Sequence, residues 1–164
     1  MFFDNITCTS DDPNGFLSNL SCYVSKNVKR RTFSIELQFK KDLRHFMLNM
    51  CVVLPRKNGA DFVLFNLTNI DGCKLLSNKN QATFIKLGRS TLDRFGNIPH
   101  QCPFKKDILY YIRGFRTDMN MFPAFSFEAE MLLWFDLVVE HTKVIKGFLR
   151  SFVTMKKNKN NKYN

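Results

Sequence analysis

The chain reads as an all-β protein, an antiparallel β-sandwich with one inserted helix at about 78–95. Three observations carry that reading. Apolar and polar residues alternate with period two over most of the chain, the pattern of half-buried strands. The spacing becomes helical in one stretch only, between Cys73 and Cys102. No strand–helix–strand repetition occurs, which argues against a doubly wound parallel sheet. A length of 164 residues is one ordinary domain, and such a chain can bury a core without relying on staples. The domain is expected to span 5–155, with 156–164 a Lys/Asn-rich tail that is frayed or disordered.

Ile6 to Ser10 and Leu17 to Lys26 flank the turn signal Asp11-Asp12-Pro13-Asn14-Gly15, so the sequence predicts a hairpin centred on Gly15. Cys8 and Cys22 then face each other across two strands, within bridging distance; the alternative is two unpaired small core residues. Phe33, Ile35, Leu37 and Phe39 alternate with polar residues, and Lys40-Lys41-Asp42 breaks the pattern. Phe46, Leu48, Met50 and Val52 alternate up to Pro55, with Cys51 on the opposite parity as the odd thiol. Phe62 to Phe65 is a short apolar strand. Phe84, Ile85, Gly88, Leu92 and Phe95 give one apolar helix face, with Asn78 or Asn80 as cap and Gly96 as stop. This helix must lie over an open edge or end of the sandwich. Asp107 to Phe115 is a strand with both faces apolar. The longest alternation runs from Phe125 to Leu137, Glu140-His141-Thr142-Lys143 turns it, and Val144 to Met155 returns.

The five cysteines include no Cys-x-x-Cys pair, which removes zinc-ribbon and thioredoxin readings. Asp71-Gly72-Cys73 precedes the helical insert and His100-Gln101-Cys102-Pro103-Phe104 follows it. A Cys73–Cys102 bond would staple the insert to the sheet and contribute about 3–4 kcal/mol in the chain-entropy model. This Asp-x-Cys, helix, His-x-Cys-Pro-Phe pattern resembles an insect-specific family of small secreted proteins that includes the chemosensory B proteins of gustatory bristles. The Cys102-Pro103-Phe104-Lys105 segment also resembles the ganglioside activator protein, an ML lipid-recognition domain. The resemblance covers roughly Thr7 to Val153. It implies an immunoglobulin-like sandwich whose sheets splay apart around a lipid. It also implies secretion, so a leader absent from these residues, through processing or an incomplete gene model, is expected. No apolar leader follows Met1-Phe2-Phe3, because Asp4 interrupts at once. Three sequons, at Asn5, Asn19 and Asn66, are glycosylation candidates.

Catalytic constellations are thin. His45, His100 and His141 sit apart, without the converging ligands zinc needs. Cys51 and His45 are six apart, roughly 20 Å along an uninterrupted strand. No nucleophile-elbow, P-loop or dinucleotide motif is present, and Glu128 with Glu130 reads as a surface pair. We therefore expect no enzyme, no cofactor and no metal. The net charge of +11 invites a polyanion. The charge is scattered, however, apart from Lys26, Lys29, Arg30, Arg31 and the tail lysines. Tyr110-Tyr111 with Arg113 and Arg116 could mimic a stacking platform, but those aromatics are needed inside, so nucleic acid is not an expected partner.

The 18 phenylalanines fill a core or line a cavity. With the resemblance, the expectation is a secreted carrier or sensor of a lipid or other apolar ligand, with a membrane surface or receptor as a further partner. The candidate cavity residues are Leu48, Met50, Phe62, Leu64, Phe84, Ile112, Phe125, Phe127, Met131 and Leu133, with polar specificity groups at the rim. The alternative is an extracellular interaction module with a filled core that meets a receptor or polyanion through its basic surface.

Overall fold

Eight strands build two facing antiparallel sheets in the computed structural model, which describes residues 1–78, 83–116 and 128–153, with the side chains of 83–85 and 87 left aside. The elements are β1 (Phe2–Thr9), β2 (Leu17–Val24), β3 (Phe33–Phe39), β4 (Met47–Leu54), β5 (Phe62–Asp71), α1 (Gly72–Ser77), α2 (Thr83–Phe95), β6 (Leu109–Phe115), β7 (Ala129–Val139) and β8 (Thr142–Val153). One sheet has the order β1-β8-β7-β4-β5 and the other β2-β3-β6. In immunoglobulin lettering β2-β3-β6 is A-B-E and β8-β7-β4 is G-F-C, so the sandwich is immunoglobulin-like, with β1 added beside G.

The period-two patterns become rows that cross the large sheet. Phe65, Val52, Leu133, Leu149 and Ile6 are successive cross-strand partners from β5 to β1, on the inward side. Gly147 belongs to that face for a packing reason: the Phe135 ring occupies the place a Cβ would take. Two buried clusters form the core. One, at the end where β3 passes to β4, gathers Phe16, Phe39, Leu43, Phe46, Phe104, Tyr110, Val139, Val144 and Ile145. The other gathers Phe3, Ile6, Phe33 and Leu149.

The expected first hairpin does not form. β1 pairs with β8 and β2 pairs with β3, so the two strands lie in different sheets. The turn itself is real: Asp12 accepts from the amides of Phe16 and Leu17 at 2.9 and 2.8 Å. It carries the chain across the sandwich instead of folding it back, because the apolar side of β1 completes the edge beside β8. Cys8 and Cys22 are nevertheless bonded, with Cα atoms 5.8 Å apart. The bond fastens sheet to sheet, not strand to strand.

The helical insertion also differs from expectation. Two helices occupy it, and Asp71 caps α1 by accepting from the Lys74 amide at 3.0 Å. Asn78 ends α1, where it was expected to begin the long helix. Residue 80, the other expected cap, lies outside the described residues. β5 is ten residues long and runs to Asp71, well past the expected end at Phe65. Cys73 and Cys102 are bonded as expected, with Cα atoms 5.4 Å apart, and the bond ties α1 to the segment before β6. The expected start of the long alternation at Phe125, the loop from 117 and the 156–164 tail fall outside the described residues.

Candidate ligand site between the sheets

The two edges of the sandwich are built differently. Along one edge β1 runs beside β2, and the Cys8–Cys22 bond holds them. Along the other edge β5 and β6 do not run alongside each other; α2 packs on β6 and α1 follows β5. Among the described residues the large sheet has five strands and the small one three, and no described strand of the small sheet lies across from β5. Apolar side chains on the inward side remain half-buried there, Phe65 and Leu67 on β5 and Met131 and Leu133 on β7. Ser151, on the same inward side beside Phe3, is fully buried, and its Oγ has no hydrogen-bond partner. An unpaired buried hydroxyl costs roughly 1–3 kcal/mol, so a polar group brought to it is favoured.

The seven expected cavity residues whose side chains are described are spread along the sandwich. Leu48 packs against the Phe39 cluster, while Ile112 and Leu133 pack against the Phe3 cluster. Met131 pairs with Ser151 on the inward side. Leu64 is half-buried at a register shift in β5. Phe62 is 44% exposed, under the Arg56 guanidinium at 5.3 Å. Met50 pairs with Phe135 and Leu67 in the inward parity of the large sheet. Phe125, Phe127 and the side chain of Phe84 lie outside the described residues.

Sequence reasoning missed a cleft of about 770 Å³ at one end of the sandwich. Its floor is apolar, from Phe16, Leu43 and Val139, and its rim carries Asp42, Arg44, His45, Glu140 and His141. The β3–β4 loop and the β7–β8 turn bring these groups together from distant parts of the chain. Glu140 and His141 both have positive φ, 49° and 65°, the type I′ hairpin geometry that glycine and asparagine adopt most easily. That unfavourable turn chemistry was the signal available in the sequence. His45 Nε2 lies 3.6 Å from Asp71.

Two carboxylates near this end are held below their usual value of 3.8, Asp42 chiefly by the Lys106 amide and Asp71 chiefly by the Lys74 amide. A depressed carboxylate stabilises the fold above its unfolded value and loses that contribution as pH falls through the folded one. Stability should therefore lack an Asp42 or Asp71 component of its pH slope above 3.8 and fall below it. Urea unfolding across pH checks this, and Asp71→Asn should flatten part of the acid slope.

Among the described residues no three His, Cys, Asp or Glu side chains group as a metal would require, and no helix is long and apolar enough to cross a membrane. Cys51 is a free thiol on the outer face, opposite Trp134 on β7.

Residues 48–133, which is 86 of 164, match the family model described as Protein of unknown function (DUF1091). The chain belongs to the DUF1091 family. No curated protein matches it. The DUF1091 segment runs from β4 through both helices and β6 into β7. It contains the Cys73–Cys102 staple and the strands at the parted edge. It leaves out β1, β2 and the Cys8–Cys22 bond that close the other edge.

Proposed function

We propose that this DUF1091 protein is a secreted, non-enzymatic carrier or sensor of a lipid or other apolar small ligand, held between its two sheets. The observation that carries the reading is the asymmetry of the edges, one closed by a disulfide and the other parted over half-buried Phe65, Leu67, Met131 and Leu133. An acyl or hydrocarbon chain laid there replaces water at about 25 cal/mol per Å² of apolar surface removed. The Ser151 hydroxyl offers one internal polar contact, and the charged rim of the end cleft offers others. Two disulfides suit an oxidising compartment. The resemblance to chemosensory and ML lipid-recognition proteins points the same way, toward delivery of an apolar signal to a receptor or membrane surface.

The test is native mass spectrometry of protein secreted from insect cells behind an added leader, followed by titration with a fluorescent fatty acid. A retained lipid, or saturable probe binding weakened by Phe65→Ala, is expected. Phe65→Ala should also destabilise the empty protein less than a fully buried phenylalanine does, because a cavity wall loses fewer contacts. Absence of both lipid and probe binding, with Phe65→Ala unfolding like an ordinary core variant, would instead favour the filled interaction module that meets a receptor or polyanion through its basic surface.

A further inference from the structure

The outward side of the large sheet carries a second row, Asn66, Cys51, Trp134, Phe148 and Thr7, running from β5 at one edge to β1 at the other. Its centre is apolar. Trp134 is 43% exposed and its ring lies 5.3 Å from that of Phe148. The indole and the neighbouring phenylalanine ring present an apolar face at the middle of the sheet that a partner group can cover. The row begins at a sequon, Asn66-Leu67-Thr68. Asn66 and Thr68 are both exposed. With Trp134 they line a depression of about 370 Å³, whose rim includes Asp136 and Lys143, ion-paired at 2.7 Å. Asn66 and Trp134 are separated by one strand, so by two strand spacings of together about 10 Å.

We propose that Asn66 is a site of N-glycosylation and that the innermost sugars of its glycan lie across Cys51 in this depression, with an apolar sugar face on the Trp134 indole. An indole offers a broad apolar face, and the Asp136–Lys143 pair offers acceptors and donors to sugar hydroxyls. The other two sequons lack this setting. Asn5 is opposite Arg150, which is engaged by Glu130 and Asp4, and Asn19 is opposite Gln38 on the other sheet. The donor is an oligosaccharide on a lipid diphosphate. A bond forms from Asn66 Nδ2 to the anomeric carbon, the carbon–oxygen bond to phosphate breaks, the lipid diphosphate leaves with the electron pair, and the amide gives up one proton.

This inference rests on passage through the secretory route, as proposed above, but not on any ligand between the sheets. The full chain is secreted from insect cells behind an added leader, and its peptides are mapped for sugar. Asn66 should carry a glycan that Thr68→Ala abolishes. Trp134 is the only tryptophan in the chain, so its emission reports the contact directly. An endoglycosidase that leaves the first sugar should change emission little. An amidase that removes all sugar should shift emission to the red and raise acrylamide quenching, to match an Asn66→Asp variant. A bare Asn66 in secreted protein overturns the site. An occupied Asn66 with identical Trp134 emission and quenching before and after the amidase overturns the sugar–indole contact. Neither outcome depends on fatty-acid binding, so failure here leaves the carrier reading standing or falling by its own test.

Discussion

Phe39→Ala should lower the unfolding free energy by about 3–5 kcal/mol, the cost of truncating a fully enclosed aromatic side chain. Phe39 has 0% of its surface exposed. Its ring meets Phe104 edge-on at 5.7 Å and lies 6.5 Å from Tyr110. Those two come from the segment fastened by Cys73–Cys102 and from β6, so the cavity left by alanine lies where the staple, the small sheet and the end loop converge. Neighbours tied by a disulfide and by ladder bonds collapse poorly into a void, which places the cost at the upper part of that range. Phe62→Ala is the matched control. Phe62 is 44% exposed, and its removal should change stability by no more than about 0.5 kcal/mol. Urea unfolding with both slopes measured decides the comparison, and equal losses for the two variants would contradict the division into core and edge.

Removing the Cys8–Cys22 bond, as Cys8→Ala with Cys22→Ala, should cost about 3 kcal/mol in the chain-entropy model for a loop of this size. The bonded residues are separated by 14 positions and join the two sheets. For a chain of this length that loss lowers the midpoint of thermal unfolding by roughly 6–12 °C. The effect should be directional as well as large. Both cysteines pack against the cluster of Phe3, Ile6, Phe33 and Leu149. Amide exchange should therefore accelerate first in β1 and β2, at the closed edge, before it changes in β4 and β7. An unchanged midpoint, or uniform acceleration over the whole chain, would show that packing alone holds that edge.

Most strands were legible because a half-buried strand writes its burial into every second residue. The alternation of Phe33 to Phe39 became β3 without revision, and that of Phe46 to Val52 became β4 from Met47 onward, with Phe46 just before the strand. The long helix was legible for the same reason at a different period. β5 was cut short because its outward positions Asn66 and Thr68 read as a loop, whereas they are the exposed side of a continuing edge strand. On β7 the outward parity holds Leu132 and Trp134 between Glu130 and Asp136, and no local pattern says that Trp134 there faces out.

What local pattern carried was therefore the list of strands, the inserted helix, the bonded cysteine pairs and the odd thiol at Cys51. The strands and the helix depend on residue type at short spacing; the Cys8–Cys22 pair was expected across a hairpin that does not form, and the bond holds because both strands meet at one edge of the sandwich. What only the tertiary structure decided was which strand lies beside which. The Asp12 turn is compatible with a hairpin or with a crossing between sheets, and the choice was made by the far end of the chain, where β8 offers its edge to β1. The same long-range choice turned Cys8–Cys22 from a cross-strand bond into the clasp of one edge, placed no described strand of the small sheet across from β5, and brought Arg44, His45, Glu140 and His141 to one cleft. Groups nearly a hundred residues apart meet only when the sheet order is set. That order is chosen by burial summed over the whole molecule, which no local window of sequence contains.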